Sequence, residues 1–253
     1  GDGLAVQGIH PRRTAVPLAL TPGPVELVVE AASNPAFPMV GARAGHLGSL
    51  ATAGDTPQYT LRQAALGLRD DDVFHLLLDA EVLLGLLTAL PIGSRRREKL
   101  LRTLERAFDA IDMSDAHGVQ ATAATARHLL APALASRNSP DTHEVIAIGH
   151  AHIDTAWLWP LRETQRKCAR TFASATAMID LYPDFHFVCS QAAQYAWIEQ
   201  QHPALFERIR ERVAGGQWHP VGGMWVEADM NLPGGESLSR QLVHGQRYFQ
   251  SRF

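Results

Sequence analysis

The chain has 253 residues, 46% of them hydrophobic and 19% charged, with a formal net charge of -3. That is length enough for one large domain or two ordinary ones, each with a real core. A mild acidic balance gives no electrostatic reason to expect nucleic acid or an anionic membrane as partner.

In chain order, residues 1–66 are rich in Pro and Gly. They hold one clear strand candidate, Val25 to Ala31, and read as a β-containing or loop-rich remnant. Residues 67–135 turn helical. The longest apolar stretch, Val73 to Leu90, is interrupted by His75, Asp79 and Glu81, which suits an amphipathic or buried helix and not a membrane span. The basic run Arg95-Arg96-Arg97-Glu98-Lys99 reads as the start of a solvated helix, continued by Leu100, Leu101, Leu104, Phe108 and Ile111 at helical spacing. An alanine-rich stretch ends near Pro132, and residues 136–143 are the best linker.

Residues 144–253 alternate strand and helix, which implies a parallel sheet of strand-helix repeats and an α/β fold. The apolar run Val145-Ile146-Ala147-Ile148 reads as a buried parallel-type strand. At its carboxyl end, where α/β folds build their sites, stands Gly149-His150-Ala151-His152-Ile153-Asp154-Thr155-Ala156-Trp157-Leu158-Trp159-Pro160. In an extended backbone His150, His152 and Asp154 share one side. Imidazole and carboxylate are ordinary zinc donors, although a lone His-x-Asp is more often a simple hydrogen-bonded pair. After Pro160 a helix is expected, with Leu161, Cys168, Phe172, Ala175 and Ile179 on one stripe.

Phe185 to Cys189 is a second strand, whose tip offers Ser190 and Gln191; His186 and His202 read as structural or exposed, neither with a ligand-like neighbour. A helix opening at Pro203 should bury Leu205, Phe206, Ile209 and Val213 and stop at Gly215-Gly216. A third strand, Gln217 to Val221, leads into Gly222-Gly223-Met224-Trp225-Val226-Glu227-Ala228-Asp229. If that stretch stays extended, Trp225, Glu227 and Asp229 point one way. An indole beside two carboxylates suits a sugar-binding floor, since apolar sugar faces stack on aromatic rings.

Together these motifs, with Cys189-Ser190-Gln191, Tyr195-Ala196-Trp197 and Asn231-Leu232-Pro233, resemble glycoside hydrolase family 38, the zinc-dependent retaining α-mannosidases, in particular the branch with cytosolic and bacterial members. The resemblance is strong over residues 144–253 and looser before. It implies that residues 144–253 are the first part of a barrel-like catalytic α/β domain. It also implies that His152, Asp154 and Asp229 bind Zn²⁺ (with Co²⁺ as a substitute), that Asp229 is the catalytic nucleophile, and that Trp157 lies against the mannose. His150 matches the motif without being a ligand and is expected to orient one.

The implied partner is a mannose-containing oligosaccharide or glycan, with oligomerisation of the full-length form left open. Members of the family are several hundred residues longer, with a fourth ligand and a general acid beyond the equivalent of Phe253. Because the chain also opens Gly1-Asp2-Gly3, a fragment of low intrinsic activity is expected. Two cysteines without paired spacing and no visible signal peptide make the cytoplasm the expected compartment. Two rivals are a metal-dependent amidohydrolase, which also places His-x-His after a first strand, and a non-catalytic carbohydrate-binding fragment. The former leaves Trp157, Trp159 and the Trp225 to Asp229 patch unexplained.

Overall fold

A computed structural model describes residue 65 and residues 67–138, 142–157 and 159–253. The strand expected over Val25 to Ala31 lies outside them. The described residues fall into two compact units that divide between Val145 and Ile146.

The first unit is a set of three helices, α1 (Asp71–Ala89), α2 (Arg95–Asp109) and α3 (Ala116–Leu134). Each begins where a short polar side chain satisfies a backbone N–H of the first turn: Asp70 accepts from Val73, Ser94 from Arg97 and Asp115 from Gly118. The apolar stripes meet in a core of Leu76, Leu83, Leu87, Leu100, Leu104 and Leu130, with Ala107, Ala123 and Ala126 letting the helices approach closely. Arg127 on α3 bridges Asp72 and Asp79 on α1. The basic run at Arg95 does open a helix, with Leu100 and Leu104 inward and Leu101 and Phe108 partly exposed. Among the described residues no helix is long and apolar enough to cross a membrane.

The second unit holds a three-stranded parallel sheet in the order β1 (Gly149–His150), β2 (Phe187–Cys189), β3 (Trp218–Pro220). Helices α4 (Leu161–Leu181), α5 (Ala192–Gln201), α6 (Pro203–Ala214) and α7 (Gly235–Arg252) surround it. Phe187, Cys189 and Trp218 point into a core completed by Phe172, Tyr195, Ile198 and Ile209. Phe172 stacks edge-on against Trp218 at 5.2 Å, and the Tyr195 hydroxyl links two strands by accepting from Trp218 Nε1 and donating to the Cys189 carbonyl. The stripe expected on α4 is buried at Cys168, Phe172, Ala175 and Ile179; Leu161 is exposed. α6 ends at Gly215-Gly216, where Gly216 has φ 75°.

Three local expectations need correcting. Val145 to Ile148 forms no strand, and Val145 and Ile146 are 86% and 78% exposed. The first ladder bond is Gly149 N–H to the His186 carbonyl, and a β-branched run with no neighbour to bond cannot join a sheet. The second and third strands are also shorter than expected. His186 does have a neighbour, since its ring stacks nearly parallel on His219 and Nδ1 of one lies 3.1 Å from Nε2 of the other.

Cys168 and Cys189 are buried free thiols, and burial pushes both up to about 12 from an ordinary 9.0. The folded state then keeps protons that the unfolded chain releases. Stability is intact below about pH 9 and is lost as pH climbs from there toward 12, by about 1 kcal/mol or more per thiol at pH 10. Urea denaturation at pH 8 and pH 10 should show this fall, and Cys168→Ala with Cys189→Ala should shrink it. An equal fall in the double variant would assign the effect elsewhere.

Candidate active site

Three loops leave the carboxyl ends of the three strands: residues 151–157 and 159–160 after β1, 190–191 after β2 and 221–234 after β3. Parallel order puts these ends on one edge of the sheet, so residues about 40 and 75 apart in sequence come together there.

Gln191 joins the three. Its backbone sits at φ 68°, ψ 91°, a region that disfavours any residue with a Cβ. Its buried amide compensates by accepting from Thr155 Oγ1 at 2.7 Å and Glu227 N–H at 3.2 Å, and by donating to the Ile153 carbonyl at 2.9 Å. Gln194, also buried, donates to the same Ile153 carbonyl at 2.8 Å. The loop after β3 is pinned from the other side by α7, where Gln241 takes the Trp225 N–H on its carbonyl and the Val226 N–H on its side chain, both at 2.8 Å. Gly245 on α7 leaves room for that loop to lie directly on the helix backbone.

Held this way, His152 and Asp154 touch, with Nε2 3.1 Å from Oδ1. The other ring nitrogen, Nδ1, faces Glu227 Oε2 at 3.9 Å, and the Ser190 hydroxyl donates to Glu227 Oε1. His150 instead sends Nδ1 to the Val188 carbonyl at 3.0 Å, so it does not orient His152 as expected. Register explains this: His150 pairs with Val188 in the ladder, which brings its ring over the neighbouring strand.

Asp229 does not join this contact set. Its Oδ1 accepts from the N–H groups of Asn231 at 2.7 Å and Leu232 at 3.2 Å and closes a turn. The shared parity of Trp225, Glu227 and Asp229 is lost, because the chain bends at Trp225 and Val226 and no strand runs through 225–229. Trp225 stacks edge-on against Tyr248 at 5.8 Å, and Trp157 is 59% exposed.

The donors suit zinc in kind, and 3.1 Å between His152 Nε2 and Asp154 Oδ1 is a spacing that two donors on one ion adopt when each lies roughly 2.0 to 2.2 Å from it. Among the described residues no three His, Cys, Asp or Glu side chains are grouped closely enough to hold a metal ion. Next to His152 lies a pocket of about 240 Å³, also lined by Ile153, Trp159, Lys167 and Arg170, with the Lys167 ammonium 4.4 Å above the Trp159 ring. Trp159 Nε1 donates to Thr164 Oγ1, which fixes the indole.

Glu227, Gln191 and Gln241 carry more of this arrangement than their sequence context announced. The signal for Glu227 was present, since it shares the acidic patch with Asp229.

Residues 142–253 match the profile described as "Glycosyl hydrolases family 38 N-terminal domain". Over its whole length the chain is 37% identical to alpha-mannosidase 2C1 of Mus musculus and 36% identical to that of Homo sapiens, and it spans 24% of the length of each. Over 116 residues, 46% of the chain, it is 49% identical to alpha-mannosidase G of Dictyostelium discoideum, covering 11% of that protein. The unit that carries the sheet and its three loops therefore resembles the N-terminal domain of family 38 glycosyl hydrolases, and the chain as a whole resembles alpha-mannosidases.

Proposed function

We propose that the polypeptide to which this chain belongs hydrolyses terminal α-D-mannosides of oligosaccharides or glycans, with retention of configuration, in the cytoplasm. The observation that carries the reading is the convergence of the three strand-end loops, which sets the His152–Asp154 pair, Glu227 and Ser190 side by side. Similarity to alpha-mannosidases over the whole chain supports the substrate class.

By the resemblance, His152, Asp154 and Asp229 would hold Zn²⁺, with Co²⁺ as a substitute; in this structure Asp229 stands apart from the other two, bonded to the Asn231 and Leu232 N–H groups. When bound, the ion would supply Lewis acidity toward neighbouring sugar hydroxyls and keep a carboxylate ionised.

The chain's own residues do the rest. Trp157, exposed on its loop, offers an apolar ring face to the sugar. An Asp229 carboxylate oxygen bonds to the anomeric carbon while the bond to the leaving oxygen breaks. That oxygen takes a proton from a general acid, which the resemblance puts outside residues 1–253. Water then attacks the same carbon from the opposite face, the acid recovers a proton, and Asp229 is released with mannose in its original configuration. The Gln191 hydrogen bonds keep the His152 loop and the Glu227 loop in register while this happens.

The complete polypeptide should release aryl alcohol from an aryl α-mannoside, lose that activity on chelation and regain it with added Zn²⁺. Proton NMR of early product should show α-mannose first. Chelator-resistant turnover, or β-mannose as first product, would remove the reading.

A further inference from the structure

We propose that the pocket beside His152 is an oxyanion site, which takes the oxygens of a carboxylate or a phosphate ester. The inference deepens the mannosidase reading above and rests on it only for one source of the anion, a charged group on the glycoside itself.

Lys167, Arg170 and Thr171 stand three and four positions apart on one face of α4 and line the pocket, and among the described residues no carboxylate lines it. The Lys167 ammonium lies 4.4 Å above the Trp159 ring, and no acidic side chain among the described residues pairs with it. A ring face holds a cation in place without neutralising its charge. The platform is itself fixed, because Trp159 Nε1 donates to Thr164 Oγ1 at 2.9 Å and that hydroxyl donates to the Thr155 carbonyl at 2.8 Å.

Arg170 supplies the second charge. Its Nη2 donates to Glu163 Oε1 at 3.0 Å, and Glu163, buried at 7% exposure, is shared with Arg166, whose Nη1 lies 3.9 Å from Oε2. The remaining N–H groups of Arg170 and the Thr171 hydroxyl have no partner among the described residues. An ammonium, a planar guanidinium and a hydroxyl around one small cavity match the clustered acceptor oxygens of a carboxylate or phosphate, and hydrogen bonds to such charged oxygens are the stronger kind.

A volume of about 240 Å³ is smaller than the roughly 300 to 1,000 Å³ of pockets that enclose a whole ligand, so the space suits the charged end of a molecule. His152 lines this pocket and also touches Asp154, so an anion seated here lies next to the group of residues proposed to meet the sugar.

The test uses the complete polypeptide and has two arms. The first takes a carboxyl-bearing aryl α-mannoside and its neutral methyl ester and reads the ratio of their kcat/KM values. Lys167→Met, which keeps an apolar stem over the indole, should lower that ratio about tenfold, and Thr171→Val about threefold. The fraction of a variant that folds does not enter, since both substrates meet the same molecules. The second arm titrates inorganic phosphate by calorimetry, where Lys167→Met should bind about tenfold more weakly than the parent.

A lowered ratio assigns the anion to the glycoside, and an unmoved ratio with weakened phosphate binding assigns it to a free oxyanion; either sustains the pocket. An unmoved ratio, with phosphate unbound by the parent or bound within about twofold as well by Lys167→Met, overturns it and leaves the mannosidase reading standing. If the parent turns over neither mannoside, that reading fails by itself, and the phosphate titration decides the pocket.

Discussion

Asp229→Asn in the complete polypeptide is expected to lower kcat on an aryl α-mannoside by about 1,000-fold or more, a loss of ~4 kcal/mol of transition-state stabilisation. The substitution is informative because Asp229 has a second, visible task. Its Oδ1 accepts from the N–H groups of Asn231 and Leu232 and shapes the turn that ends the loop after β3. An asparagine keeps a carbonyl oxygen in that place, so the turn stands while the negative charge and the nucleophile disappear. Asp229→Ala removes both. Its melting temperature should therefore fall below that of the Asn variant by an amount that reflects two lost hydrogen bonds, about 1 kcal/mol each. If the Asn variant keeps activity within tenfold of the parent, Asp229 only closes the turn and another group attacks the sugar.

Gly245→Ala tests the support of that loop. A methyl group at Gly245 would sit 2.3 Å from the Gly223 carbonyl oxygen, 2.4 Å from the Met224 carbonyl carbon and 2.6 Å from the Trp225 nitrogen. All three are backbone atoms, so no side chain can swing aside. Either α7 backs away or the loop lifts, and the bonds from Trp225 and Val226 to Gln241 stretch in both cases. Overpacking of this kind costs about 1 to 3 kcal/mol, of which the better helix propensity of alanine returns up to about 1.

Because Glu227 and Asp229 ride on the loop, kcat/KM should fall by about 100-fold, the usual consequence of displacing a reacting group by an ångström. Gly85→Ala is the control. It too lies inside a helix, but its added methyl meets nothing within 4 Å, and stability should rise by up to about 1 kcal/mol. Equal urea midpoints for Gly245→Ala and the parent would mean that the loop adapts freely.

Periodicity marked α4, α6 and the carboxyl ends of the strands, while α5 and α7 carried no expectation. The stripe from Cys168 to Ile179 is buried, α6 runs from Pro203 to a glycine stop, and the polar motifs stand at the tips of parallel strands. The fine geometry was less legible, for physical reasons. Val145 to Ile148 has the composition of a buried strand, but a strand exists only where a neighbour offers hydrogen bonds, and the ladder begins at Gly149. Parity arguments hold only while the backbone stays extended; they succeed for His152 and Asp154 and fail for Trp225, Glu227 and Asp229, where the chain bends at Trp225 and Val226. The task first given to His150 belongs to a register that sequence does not state, since its partner Val188 lies 38 positions away.

The Gln191 amide has a further consequence. It binds Ile153, Thr155 and Glu227 at once, from a backbone conformation that is unfavourable without those bonds. Neither flanking segment can swing outward without undoing the latch that also holds the other. Breathing of this edge is therefore concerted, and amide hydrogens in both segments should exchange with solvent at matching rates.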